Sequence, residues 1–105
     1  MKQFAVYKNK SRNKQAYPYF IDVQADMLAH LNTRLVMPLT QKANSNSQVK
    51  ALTPVITIYQ IDYIVLTTMI TTTDVKNLKA EYVVMDASHL RDQLVSAIDM
   101  MILGI

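Results

Sequence analysis

The sequence predicts a mainly β (α+β) fold, in which a small barrel-like sheet of mostly antiparallel strands is followed by one C-terminal α-helix. About five to seven short runs rich in β-branched and aromatic residues occupy most of the chain. Near the C-terminus the apolar period changes from that of a strand to that of a helix. With 105 residues, the chain is expected to form a single domain over residues 1–105.

The N-terminal part predicts two strands separated by a polar loop. Residues 3–8 combine aromatic and β-branched types and predict the first strand. The wholly polar residues 9–15 predict a loop, which ends before Pro18 because proline favours extended backbone in the residue that precedes it. In residues 19–24 the apolar side chains fall on every second position. This alternation predicts a strand with one buried face.

The next strand contains a proline. In residues 34–39 every second residue from Leu35 is apolar, which predicts a further strand. Pro38 cannot donate to a neighbouring strand, so this strand is expected at an edge of the sheet or to end there. Residues 40–51 are polar and rich in amides and predict an exposed loop or short helix.

The middle of the chain predicts a hairpin and two further short strands. The β-branched runs 55–59 and 63–68 are close enough to pair, with residues 60–62 as the turn. Thr71–Thr73 favour a strand or tight loop, since branched side chains are restricted in helices. Residues 82–85 predict the last strand.

The C-terminal segment predicts one amphipathic helix. Asp86 or Ser88 is expected to cap its first turn, and Gly104 stands where glycine commonly ends a helix. The apolar residues that recur at helical spacing are Leu90, Leu94, Ala97, Ile98 and Met101.

The composition excludes several classes of protein. Gly104 is the only glycine, so neither of the glycine-rich phosphate-binding motifs can be present. The chain has no cysteine, which excludes disulfides and thiolate metal sites. It has no long apolar run and no signal-peptide pattern, so a cytoplasmic location is expected. Half of the residues are hydrophobic, which favours a homodimer for so small a chain.

The N-terminal loop concentrates positive charge. Lys8, Lys10, Arg12 and Lys14 lie between residues 8 and 14, whereas the first acidic residue is Asp22. This pattern is either a solvated loop or a patch for an acidic partner, which could be a nucleic acid or an acidic protein segment.

The sequence shows no strong catalytic pattern. Its two histidines, His30 and His89, have no metal-ligand spacing, and neighbouring Ser88 and His89 would diverge on a helix. We therefore expect no enzyme activity, no metal and no cofactor. A metal-free ribonuclease remains an alternative, because arginine with an acid or histidine can act on a ribose 2′-hydroxyl. The residues of those types are Arg12, Arg34, Asp22 and His30.

Several segments in order along the chain resemble the CcdB family of toxins from toxin–antitoxin modules. The resemblance spans nearly the whole chain and is strongest at its C-terminal end. Its segments are Phe4-x-Val6-Tyr7, Phe20-Ile21-Asp22-Val23-Gln24-x-Asp26, Arg34-x-Val36-x-Pro38-Leu39, Pro54-Val55-x-x-Ile58, Thr67-Thr68, Asp86-x-Ser88-His89, Ala97-Ile98, Met101 and Gly104-Ile105.

The resemblance implies an SH3-like small barrel that dimerises, and a toxin that traps the A subunit of DNA gyrase during DNA cleavage. It also implies a CcdA-like antitoxin whose disordered C-terminal segment wraps the toxin and through which operator DNA is bound indirectly. The implied gyrase-binding residues are Leu103, Gly104 and Ile105, and Met101 is implied at the dimer interface. The implied antitoxin-binding residues are Ser11, Arg12, Asp22, Val23, Gln24, Thr67 and Thr68.

Leu103 departs from the family pattern. Family members known for killing carry tryptophan at this position, and this chain has no tryptophan. Loss of a hot-spot tryptophan costs at least about 2 kcal/mol of binding. Three outcomes are open: an altered gyrase contact, a different dominant anchor, or lost activity. We expect retained binding, since Gly104 and Ile105 are kept.

The runner-up function is a messenger RNA endoribonuclease of the MazF or Kid type. These toxins share the general fold and usually place a Gly-Asp pair near the N-terminal strand. The chain has no glycine before Gly104, which disfavours this alternative.

Overall fold

The structure is a computed structural model that describes residues 2–45 and 48–104. Within these residues it contains seven strands and one α-helix, joined by loops and short 3-10 turns. No helix of this described part is long and apolar enough to cross a membrane. The elements are β1 (Ala5–Lys8), β2 (Tyr19–Asp22), β3 (Thr33–Gln41), β4 (Val55–Ile58), β5 (Ile61–Val65), β6 (Thr71–Asp74), β7 (Val83–Asp86) and α1 (Arg91–Leu103).

The strands form one curled antiparallel sheet, which confirms the predicted fold class of a small α+β barrel with a C-terminal helix. Its order is β4-β5-β3-β2-β1-β7, and β6 pairs separately with β3. The predicted hairpin is β4 and β5, and the threonine run forms β6. The polar segment after β3 contains a 3-10 turn at Lys42–Asn44.

The prediction of an edge position for the Pro38 strand is wrong, because β3 is the central strand. It pairs with β2 along one side and with β6 and then β5 along the other. The Pro38 carbonyl accepts a hydrogen bond from Leu66 N at 2.9 Å. The N–H and C=O of one residue face the same side of a strand. The position where Pro38 lacks an N–H therefore faces the gap between β6 and β5. Proline is tolerated there because no ladder bond is lost.

Alternation along β2 and β3 separates two buried sets of side chains. One set lies under α1 and is called the helix-side core here; Ala5, Tyr7, Val36 and Leu78 form a small cluster on the opposite face. The helix-side core consists of Phe4, Val6, Ile21, Val23, Met37, Leu39, Ile56, Ile58, Tyr63, Val65, Ala87, Leu90 and Leu94.

The prediction of one buried face for residues 19–24 is wrong for two polar residues. Asp22 and Gln24 alternate with Ile21 and Val23 as expected, but they are buried as well. Their burial depends on a charged partner from β3, which the sequence pattern alone did not identify.

The hairpin turns at Tyr59–Gln60, whereas the sequence predicted the turn at residues 60–62. Tyr59 and Gln60 have φ of 50° and 69°. A type I′ hairpin turn needs positive φ at both central residues, and Asn-Gly is the usual choice. With its only glycine at residue 104, the chain adopts these angles at residues that carry a Cβ, which costs about 1–2 kcal/mol each.

The helix follows the predicted apolar stripe. Leu94 and Ala97 are buried, and Ile98 packs against the helix-side core. The capping prediction is wrong: α1 has no side-chain cap at its first turn, and Asp86 Oδ1 instead accepts from Ser88 N at 2.9 Å in the turn before the helix. The predicted helix end at Gly104 is confirmed.

Candidate interaction surfaces

The C-terminal end of α1 is an exposed apolar tip. The side chains of Ile102 and Leu103 are 69% and 65% exposed, and Met101 is half-buried. Gly104 adopts φ 74° and ψ 20°, and its N–H donates to the Met100 carbonyl at 3.0 Å. This left-handed residue closes the helix, as glycine does at many helix ends. Ile105, a predicted gyrase-binding residue, lies outside the described residues.

The polar loop between β1 and β2 is organised around a buried asparagine. Asn9 Nδ2 donates to the Tyr17 carbonyl at 2.6 Å and to Asn13 Oδ1 at 2.7 Å. Asn9 Oδ1 accepts from Ser11 N at 2.8 Å. Ser11 and Arg12 are exposed on this loop. Two of the predicted antitoxin-binding residues are therefore accessible.

Asp22 forms a buried ion pair rather than an exposed contact. Its Oδ2 accepts from Arg34 Nε at 2.8 Å and lies 2.8 Å from Arg34 Nη2, and both side chains are fully buried. Its Oδ1 accepts from Gln24 N at 3.0 Å. Burial raises the pKa of the Asp22 carboxyl, while the hydrogen bonds from Arg34 and Gln24 oppose this shift.

Gln24 connects the end of β2 to the start of β3. Its Oε1 accepts from Leu35 N at 3.1 Å, and its Nε2 donates to the Thr33 carbonyl at 3.2 Å. Its own carbonyl accepts from Arg34 Nη2 at 3.2 Å. Among the described residues, Arg34 Nη1 has no hydrogen-bond partner. Asp22, Gln24 and Arg34 thus form one buried polar network.

The other predicted antitoxin-binding residues divide between the interior and the surface. Val23 belongs to the helix-side core, and Thr67 is fully buried with no partner for its hydroxyl within the described chain. Thr68 is exposed and lines a hollow of about 600 Å³ together with Gln15, Ala16 and Tyr17. The structure therefore brings Thr68 close to the polar loop.

The predicted antitoxin-binding set is split along β2. The loop that carries Ser11 and Arg12 joins the Tyr19 end of this strand, whereas Asp22–Gln24 lie at its other end. Successive residues of a strand advance by about 3.3 Å, so one short strand separates the two groups.

A basic groove that sequence reasoning missed lies on the face opposite α1. Lys10 comes from the polar loop, whereas Lys76 and Lys79 follow β6. The groove encloses about 550 Å³, and we call it the lysine groove. Its lining residues are Asn9, Lys10, Ser11, Phe20, Thr73, Lys76, Asn77, Lys79 and Tyr82. The spacing Lys76-x-x-Lys79 was visible in the sequence, but its position across from Lys10 depends on the fold.

The alternative ribonuclease set is not assembled at one surface. Arg34 and Asp22 are fully buried and paired with each other. Arg12 and His30 are exposed on different loops. In the described ranges, no three His, Cys, Asp or Glu residues are grouped so that they could hold a metal ion.

The curled antiparallel sheet, the packed terminal helix and its exposed apolar end define a small α+β barrel protein. The family model of the CcdB protein matches residues 3–104, so the chain belongs to the CcdB family. It is accordingly a toxin of a toxin–antitoxin system, with an antitoxin as its general partner. A comparison with curated proteins gave no match.

Proposed function

We propose that this toxin binds the dimerisation domain of the DNA gyrase A subunit and poisons the gyrase–DNA cleavage complex. It acts as a cytoplasmic homodimer without catalysis, and a CcdA-like antitoxin neutralises it. Operator DNA is reached only through the antitoxin. The exposed apolar end of α1, which lies within the family match up to Gly104, is the observation that carries the proposal.

The helix end has the properties of a binding anchor. Ile102 and Leu103 hold large apolar side chains in solvent, which is typical of docking surfaces. Leucine keeps the apolar contact but lacks the area and the N–H donor of tryptophan. We propose that Leu103, Gly104 and Ile105 contact gyrase, with Ile102 sharing the anchor, and that Met101 contacts the partner subunit of the dimer.

The antitoxin surface in this proposal has exposed and supporting residues. Ser11, Arg12 and Thr68 are accessible and can contact the antitoxin directly. Residues Asp22–Gln24 and Thr67 are buried, so they act indirectly: Thr67 holds the backbone next to Thr68, and Asp22–Gln24 hold the opposite end of β2.

Growth arrest in two hosts tests the target. Expression is expected to stop growth in cells with wild-type gyrase and to have little effect in cells with a resistant gyrase A subunit. Purified toxin should provoke gyrase-dependent cleavage of supercoiled DNA and leave long RNA intact. Equal arrest in both hosts, or site-specific RNA cleavage, would contradict the gyrase proposal.

Substitutions at Leu103 test the anchor. Leu103→Ala is expected to weaken binding to the gyrase A dimerisation domain by about 30-fold, and Leu103→Trp to strengthen it. Met27→Ala is the matched control, because Met27 is 85% exposed and belongs to the 3-10 turn Asp26–Leu28 rather than to α1. Calorimetry measures the affinities. Equal affinities for Leu103→Ala and Met27→Ala would show that Leu103 is not the anchor.

A further inference from the structure

The lysine groove is built from two segments that are far apart in the sequence. Lys10 lies in the loop after β1, and Lys76 and Lys79 lie in the connection between β6 and β7. Asp74 Oδ1 accepts from Lys76 N at 3.0 Å and so caps the 3-10 turn Val75–Asn77. This cap holds the backbone that presents Lys76 at one side of the groove.

The lining of the groove carries positive charge, and the nearby Asp74 carboxylate bonds to the backbone N–H of Lys76. None of its lining residues is acidic. Among residues 2–45 and 48–104, ion pairs with carboxylates involve Lys2, Arg34 and Arg91 but none of the three groove lysines. Ammonium groups that converge on one concavity without carboxylates favour an anionic ligand, because like charges brought together destabilise the empty site.

The aromatic wall of the groove is occupied by the lysines themselves. Lys10 Nζ lies 5.5 Å and Lys79 Nζ lies 5.8 Å from the centroid of the Tyr82 ring, within the range of cation–π contacts. Tyr82 also packs against the small cluster that contains Tyr7 and Leu78, so its ring is held in place. Nucleic-acid bases bind single-strand sites by stacking on open aromatic rings. The ammonium groups over the Tyr82 ring compete with base stacking, so the groove favours a carboxylate ligand over a nucleic-acid base.

We propose that the lysine groove binds a carboxylate-rich segment of the antitoxin. This inference rests on the proposed function for the identity of the partner, and on the groove for the chemistry of the contact. An acidic, disordered segment suits the site because charge complementarity raises its association rate. The helix tip and this groove then serve different partners.

Direct binding of an acidic peptide tests the groove. The probe is a fluorescein-labelled oligoglutamate peptide, and its anisotropy is followed as full-length toxin is added. Lys76→Glu with Lys79→Glu is expected to weaken binding by about tenfold or more, mostly through slower association. Lys42→Glu with Lys50→Glu is the matched control, since it makes the same charge change at exposed lysines outside the groove.

Three outcomes would overturn the proposal: no binding of the peptide, an equal loss in both double variants, or tighter groove-dependent binding of a single-stranded oligonucleotide than of the peptide. Thermal unfolding of each variant shows whether it is folded. Gyrase poisoning is measured separately with the same proteins. Poisoning without peptide binding removes only the groove proposal, whereas groove-dependent peptide binding without poisoning removes only the gyrase proposal.

Discussion

The two faces of the curled sheet are both buried, yet they are stabilised by different chemistry. Under α1 the sheet presents an apolar core that includes Ile21, Met37 and Leu94. On the opposite face of the same two strands, Asp22 and Arg34 form a fully buried ion pair. Apolar packing depends on volume and shape, whereas a buried ion pair depends on exact partners.

Each face of the sheet positions a different part of the molecule. The helix-side core holds α1 and therefore the apolar tip at Leu103. The polar network joins residues Asp22–Gln24 to Arg34 and Leu35 and so fixes the start of β3. One face tolerates conservative changes of size, while the other is expected to tolerate few single substitutions.

The largest expected effect comes from breaking the buried pair. Asp22→Ala leaves the Arg34 guanidinium buried without its carboxylate, which is expected to cost about 3–5 kcal/mol of unfolding free energy. Urea denaturation measures this cost. The control is the double variant Asp22→Leu with Arg34→Met, which removes both charges and is expected to recover much of the stability. A double variant as unstable as Asp22→Ala would show that the loss comes from shape rather than from an unpaired charge.

A cavity in the helix-side core is expected to have the next largest effect. Leu94 is fully buried, so Leu94→Ala should lower the unfolding free energy by about 2–5 kcal/mol. Leu103→Ala removes the same atoms from an exposed position on the same helix and should change stability by less than about 0.5 kcal/mol. Similar losses in both variants would mean that the helix end is packed in solution, contrary to the structure.

The smallest effect is expected at an exposed ion pair. Lys2 Nζ lies 3.0 Å from Asp86 Oδ2, and both side chains are largely exposed. The Ser88 N–H and then Lys2 lower the pKa of Asp86 in the folded state. Asp86 therefore contributes stability above its unfolded pKa of about 3.9, and this is lost as the pH falls through the lower folded pKa.

Acid unfolding of Asp86→Asn measures that contribution. The variant should be slightly less stable than the wild type at neutral pH, and the two should converge below the folded pKa of Asp86. A difference that stays constant down to low pH would show that the charge of Asp86 is not responsible. Compared with Asp22→Ala, this variant separates an exposed pair from a buried one.

Much of the secondary structure could be predicted from local patterns. The alternation in residues 19–24 and the stripe from Leu90 to Met101 identify a strand and the helix because each pattern repeats within one element. The family resemblance also followed from short ordered segments. The position of Pro38 in the central strand could not be predicted, since its neighbours β5 and β6 come from later parts of the chain.

Local patterns were enough to predict the succession of strands and helix along the chain, the family resemblance and the helix end at Gly104, since these depend on residues close together in the chain. The burial of Asp22 against Arg34, and the position of Lys10 across one groove from Lys76 and Lys79, became apparent only in the folded chain. Burial and the distance between charges are set by which distant segments the sheet brings together. Local periodicity reports only which side of its own element a residue occupies.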